Sequence, residues 1–245
     1  MSEVQNDQLI LISGASASGK SSALRNIRNP DKWFYLNCEN KRLPFKSKFQ
    51  EYRITDAYQV HEGLDAAVED KDVEGVIIDT LTFLMDQVEN QYVLTASNGM
   101  KAWSDYAKFY KDMMGKVALC NKPVIMLAHT RTDLDEQTMS QVTAVPIKGS
   151  LKNEGLEAWF STVVSTKVIS IKDLEGYKND LLTITEEEAE LGFKHVFQTR
   201  LTKKTIGERI RSPFGMFSKS QTYIDNDAQA LLDYLNDYYK TGETQ

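Results

Sequence analysis

The chain has 245 residues, 41% of them hydrophobic and 26% charged, with a formal net charge of −6. These values suit a globular protein long enough to bury a full α/β core, and they exclude a disulfide-stapled miniprotein or a disordered chain. The acidic total argues against coating nucleic acid by bulk electrostatics, although it leaves room for a local basic site. No apolar stretch reaches membrane-spanning length, and the N-terminus (MSEVQNDQ) lacks a basic region followed by an apolar one. Neither a signal peptide nor a transmembrane helix is therefore expected, and the expected location is the cytoplasm, with no membrane partner. Cys38 and Cys120 are too few and too distant for a metal motif, and are expected as buried, reduced thiols.

Residues 8–13 (QLILIS) form an apolar run of strand length, and 20–28 reads as a helix. Between them Gly14, Ala15, Ser16, Ala17, Ser18, Gly19, Lys20 and Ser21 complete the pattern G-x-x-x-x-G-K-[ST]. On a strand–loop–helix this pattern is a phosphate loop, whose glycines let backbone N–H groups turn towards phosphate oxygens. Lys20, expected at a surface position, would reach the β and γ phosphates. The Ser21 hydroxyl would ligate Mg²⁺. Ser22 completes the predicted nucleotide-binding stretch, and ATP with Mg²⁺ is the predicted ligand.

Further strand-like runs fall at 33–37, 75–79, 123–128, 162–171 and 193–201, with helical patterns at 58–69 and about 100–119. Strands alternating with helices predict a mainly parallel sheet covered on both faces, and the short late connections predict an antiparallel extension at one edge. No linker divides the chain, so one domain is expected, with a core over about 8–224. A final helix over about 226–240 is expected, capped from Asp225-Asn226-Asp227. Trp103, Tyr106, Phe109 and Tyr110 follow helical spacing and are expected in the core rather than as base-stacking rings. Residues 89–101 read as a polar loop. Residues 130–155 are polar, with little periodicity, and read as a long loop that is either functional or simply mobile.

Three strand ends extend the site. Asp79 closes the strand GVIID and would sit in the Mg²⁺ shell; Thr80 follows it, so a water-activating base must come from elsewhere. Glu39, just after the strand WFYLN, is the candidate base. His129, after PVIMLA, is placed to touch the γ-phosphate.

In that order the motifs resemble the RecA-like recombinase ATPase core, over about 9–224. FYLNCEN matches the strand that ends in the family's catalytic glutamate (Glu39). GVIIDTL matches the strand of the Mg²⁺-associated aspartate (Asp79). VIMLAHTR matches the sensor strand, with His129 where bacterial recombinases carry Gln. The resemblance implies a RecA-like three-layer α/β P-loop NTPase and assigns 130–155 to the family's DNA-binding loop. It also places Lys203, Lys204, Arg209 and Arg211 in the late segment whose cations reach the nucleotide of a neighbouring subunit; the same residues also fit a solvated basic face. The nearest likeness is to small phage-encoded, Sak-type single-strand annealing ATPases. That likeness implies a DNA-dependent ATPase active as a homo-oligomer with ATP at its subunit interfaces. Single-stranded DNA and a single-strand-binding protein would be its partners, in the cytoplasm of an infected host. A small-molecule or nucleoside kinase and a nucleotide-gated adaptor of a replication complex are the alternative readings.

Overall fold

Short runs of aliphatic and aromatic residues with no polar interruption are best satisfied by strands covered on both faces. The sequence has four: LILIS, WFYLN, GVIID and VIMLA. The computed structural model, which describes residues 6–136 and 139–242, puts all four at the centre of one eight-stranded sheet.

The strands are β1 (Leu9–Gly14), β2 (Trp33–Asn37), β3 (Gln50–Arg53), β4 (Gly75–Asp79), β5 (Val124–His129), β6 (Arg131–Asp135), β7 (Ser140–Ala144), β8 (Thr162–Ser170), β9 (Phe193–Gln198) and β10 (Tyr223–Asp225). The large sheet has the order β10-β9-β8-β1-β5-β4-β2-β3. Pairing is parallel from β8 to β3, while β9 runs antiparallel to both β8 and β10. This is the predicted α/β P-loop NTPase architecture with antiparallel edge strands. The helices are α1 (Gln59–Glu69), α2 (Leu81–Val88), α3 (Gly99–Leu119), α4 (Leu151–Glu154), α5 (Ile171–Leu174), α6 (Glu186–Leu191) and α7 (Ala228–Gly242). On one sheet face Leu11, Leu36, Ile78 and Met126 pack with side chains of α1, α2 and α3. On the other, Ile12, Tyr35, Ile77 and Leu127 pack with Leu24 and with Leu231 and Leu235 of α7. Tyr106, Phe109 and Tyr110 are buried as expected, and Trp103 is half-buried beside them. Cys38 and Cys120 are buried and free. Asp227 caps α7, its Oδ1 accepting from the Gln229 and Ala230 amides.

Four expectations change. The segment after the phosphate loop is a 3-10 helix, Ser21–Asn26, because Ile27 turns extended and Asn29, in a left-handed conformation, leads into Pro30. Its turns are held instead by α7: Arg25 donates to the Asn226 carbonyl and Asn26 to Asp227. Strand β3 (QEYR) escaped notice because it is an exposed polar edge, paired on one side only. Residues 89–101 are mostly not loop. A π-type turn, Glu89–Val93, extends α2, and Asn98 caps α3 by accepting from the Lys101 amide. Glu89 is buried there and pairs with Lys148 at 2.7 Å.

The fourth change concerns 130–155. This stretch holds a two-stranded hairpin, β6 with β7, then α4. Its polar alternation pairs across the ribbon, as in the Thr132–Thr143 hydroxyl contact of 2.8 Å, so it lacks the apolar period that marks a core strand. The hairpin is moored at its exit. Glu157, 2% exposed, accepts from the Val145 amide at 2.7 Å and lies 3.5 Å from the Arg209 guanidinium. Replacing Glu157 with Ala leaves that buried amide unpaired and should cost about 2 kcal/mol, a fall of several degrees in Tm. Thermal denaturation checks this, and a midpoint equal to wild type would contradict the mooring role.

Candidate nucleotide-binding site

Parallel pairing sends the carboxyl ends of β1, β5, β4 and β2 to one sheet edge, and the predicted residues meet there. Gly14 lies opposite His129 in the β1–β5 register, and Asn37 lies opposite Asp79 in the β2–β4 register. A cleft of about 380 Å³ opens above them, lined by Ser16, Ala17, Gly19, Lys20, Ser21, Ser22, Tyr35, Glu39, Lys41, Arg42, Pro44, Asp79, His129 and His195.

Only glycine fits at both ends of the loop. A Cβ at Gly14 would overlap the Thr166 hydroxyl, and Gly19 has φ +105° with Asn226 and His195 crowding the place a Cβ would take. The Ser18 hydroxyl bonds that of Thr166, and its carbonyl accepts from His195 Nδ1 at 2.9 Å. Asn226 donates to the Gly19 carbonyl at 2.9 Å. The edge strands and the start of α7 thus brace the loop from behind.

Lys20 is buried rather than at the surface, with 6% exposure. Its ammonium donates to the Gly14 and Ala15 carbonyls (3.1 and 2.7 Å) and lies 3.3 Å from His129 Nδ1. Burial lowers its pKa to about 8, against the opposing pull of Glu39 and Asp79. Asp79 is equally buried. Its Oδ2 accepts from Tyr35 at 2.7 Å and Ser21 at 3.2 Å, while Oδ1 has no hydrogen-bond partner. Burial pushes the Asp79 carboxyl up, although the Tyr35 hydroxyl works against it. The Asp79–Thr80 peptide is cis.

An orphaned carboxylate oxygen beside a serine hydroxyl is a hard-oxygen donor set that fits Mg²⁺, so Ser21 and Asp79 would hold that ion. Glu39 Oε1 is 2.7 Å from His129 Nε2, and Thr82 accepts from the His129 amide at 2.9 Å. Lys20, His129 and Glu39 therefore form one chain of contacts across the cleft.

Lys203, Lys204, Arg209 and Arg211 do not line the cleft of their own subunit. Arg209 faces Glu157, and Arg211 pairs through its backbone with Val163. The sequence reading missed Tyr35, Lys41, Arg42, His195 and Asn226. The first three lie within four residues of Glu39 and could have been found by carrying the strand-end argument along WFYLNCENKR. His195 and Asn226 reach the loop only through tertiary contacts. Among the described residues there is no cluster of three or more His, Cys, Asp or Glu suited to a metal ion, and no helix long and apolar enough to cross a membrane.

Fold and cleft define a P-loop ATPase core. The family model described as "AAA domain" matches residues 6–205, and the chain belongs to that family. No curated protein matches it. The chain is accordingly a nucleotide-binding ATPase of the AAA domain family, a family that uses ATP and Mg²⁺.

The pKa of Lys20 gives a signed prediction. Phosphate binds the protonated ammonium, which the free protein holds only in part by about pH 8 and loses above it. Above that pH, ATP binding must take up a proton, so affinity should fall by up to about tenfold per pH unit between pH 8 and 10. Titration calorimetry in two buffers of different ionisation enthalpy reads the uptake directly. Proton-neutral binding at pH 9 would contradict it.

Proposed function

We propose that this ATPase acts on single-stranded DNA, as an annealing or strand-exchange protein of the phage type, and that its ATP state sets its DNA affinity. The observation that carries the reading is the chain Lys20–His129–Glu39, whose central member His129 stands two residues before the hairpin β6–β7. His129 touches both the phosphate-binding cation and the candidate base. A γ-phosphate arriving beside Lys20 therefore changes the charge next to His129, and Thr130 leads from His129 into β6. The order of motifs along 9–224 supports the recombinase-type assignment.

In the proposed reaction a water attacks the γ-phosphorus, the bond to the bridging β–γ oxygen breaks, and ADP leaves. Glu39 accepts the water proton and returns it to solvent. Lys20 and the loop amides hold the phosphates, and His129 positions Glu39 through its Nε2 contact. Mg²⁺ held by Ser21 and Asp79 would supply neutralisation of the phosphate charge. The cations of 203–211 are assigned to a neighbouring subunit's nucleotide in a homo-oligomer, with a single-strand-binding protein as a further partner.

Glu39→Gln should lower ATP turnover by about 10²-fold or more while leaving ATP binding intact. His129→Ala should abolish the response of turnover to single-stranded DNA more than turnover itself. Steady-state ATPase assays with and without single-stranded DNA, beside equilibrium ATP binding, check both. Turnover of wild type that ignores DNA would sink the DNA-dependent reading, and a fully active Glu39→Gln would remove Glu39 as the base.

A further inference from the structure

The hairpin is a poor surface for a polyanion. Its arms carry Asp133 and Asp135, with Glu136 at the turn, and Arg131 is tied to Asp133 at 2.8 Å. The opposite balance appears at the antiparallel edge of the sheet. A groove of about 670 Å³ runs beside β8, β9 and β10, and its lining includes Lys167, Arg200, Lys203, Lys204 and Lys219 against one carboxylate, Asp173. Lys167 is neutralised by Glu208 at 2.6 Å. Among the described residues, the ammoniums of Lys203, Lys204 and Lys219 have no carboxylate within ion-pair distance, and the Arg200 guanidinium donates to the Phe217 carbonyl. Four cations thus face one groove without acidic partners, in a chain whose total is −6.

They come from three places, just after β9, the turn that follows it, and the segment before β10, and so suit a row of phosphates better than a single one. Tyr177 and Tyr223, ring centroids 4.8 Å apart and edge to face, floor the groove between them. Tyr177 is half-buried, and exposed Leu201 also lines the groove. Cations that follow a backbone beside aromatic and apolar side chains that accept bases are the chemistry of single-strand binding. The groove is also wired to the hairpin. The Thr143 amide donates to the Gly207 carbonyl at 2.9 Å, and Gly207 packs so closely on β7 that a Cβ there would overlap the Gln141 carbonyl. Glu208, which holds Lys167, bridges to Thr143.

We infer that single-stranded nucleic acid lies in the groove of Arg200, Lys203, Lys204 and Lys219, and not on the hairpin that follows His129. This rests on the proposed DNA reading, relocates its binding surface, and moves Lys203 and Lys204 from a neighbour's nucleotide to the groove, leaving Arg209 and Arg211 for that nucleotide. The hairpin then acts as the link between cleft and groove through Thr143 and Gly207.

The test is fluorescence anisotropy of a labelled oligothymidylate with a non-hydrolysable ATP analogue and Mg²⁺, over a salt series. The variants are Lys203→Glu with Lys204→Glu, Lys219→Glu alone, and, on the hairpin, Arg131→Ala. All replace exposed side chains, and equal melting temperatures confirm that they fold. The groove variants should lose about tenfold or more in affinity, and the double variant should flatten the slope of log K against log salt by about 1.4. Arg131→Ala should bind like wild type. Groove variants with wild-type affinity and slope would overturn the proposal, and if Arg131→Ala then loses binding the DNA reading itself stands. The proposal also falls if the groove variants keep oligothymidylate affinity and lose only a turnover that rises with protein concentration, since their cations then serve a neighbour's nucleotide. A wild type that binds no oligothymidylate in any nucleotide state overturns both.

Discussion

Strand β5 pairs in parallel with β1 on one side and β4 on the other. Because all three strands point the same way, the insertion sets His129 directly against the phosphate loop and between it and Asp79. Were β4 to pair with β1 instead, the end of β5 would lie outside the cleft and no side chain could touch both Lys20 and Glu39. The site therefore depends on register more than on any single contact. The apolar runs that bury both sheet faces fix that register, because in a strand covered on both sides a slip trades well-packed residues for voids.

Burial gives the site its electrical character. Lys20 and Asp79 are nearly inaccessible, and each is shifted towards its neutral form by desolvation. Neither is paired with the other; Lys20 leans on two loop carbonyls and Asp79 on two hydroxyls. Such an arrangement is costly for the free protein and complementary to a ligand that brings an anion to one and a cation to the other. Mg–nucleotide, which the AAA domain family uses, is such a ligand, and part of its binding free energy would come from relieving charges already buried.

The parts of this site legible in the sequence are those set by local chain. The phosphate loop, the Asp79 strand end and the Glu39 strand end each combine a hydrophobic run with a polar residue at its close, and all three converge as expected. What stayed hidden is set by distance in sequence. Tyr35 reads as a core aromatic, and nothing local shows that its hydroxyl meets a carboxylate 44 residues on. His195 and Asn226 brace the loop from strands and a helix start 177 and 207 residues away. The hairpin is hidden for a different reason. Its strands are stabilised by cross-strand polar pairs and by a mooring to Glu157, neither of which leaves an apolar period. The helix after the loop failed on its termination: Asn29-Pro30 leaves too little chain for an α-helix to propagate, and contacts with α7 replace its missing turns.

Total charge conceals the division of labour among these surfaces. Carboxylates gather on the hairpin, and unpaired cations gather at the antiparallel edge and in the 41–48 loop beside the cleft. Two segments distant in sequence, the hairpin and 203–211, are fastened through backbone where Thr143 meets Gly207 and Glu208, at a glycine with no room for a side chain. A displacement at His129 can therefore reach the basic edge along continuous backbone and one short bridge. It need not pass through the packed core, whose low compressibility resists graded deformation. That geometry makes Gly207 the narrowest part of the link: any larger residue must push β7 away from the segment that carries Lys203 and Lys204, and so break the bridge.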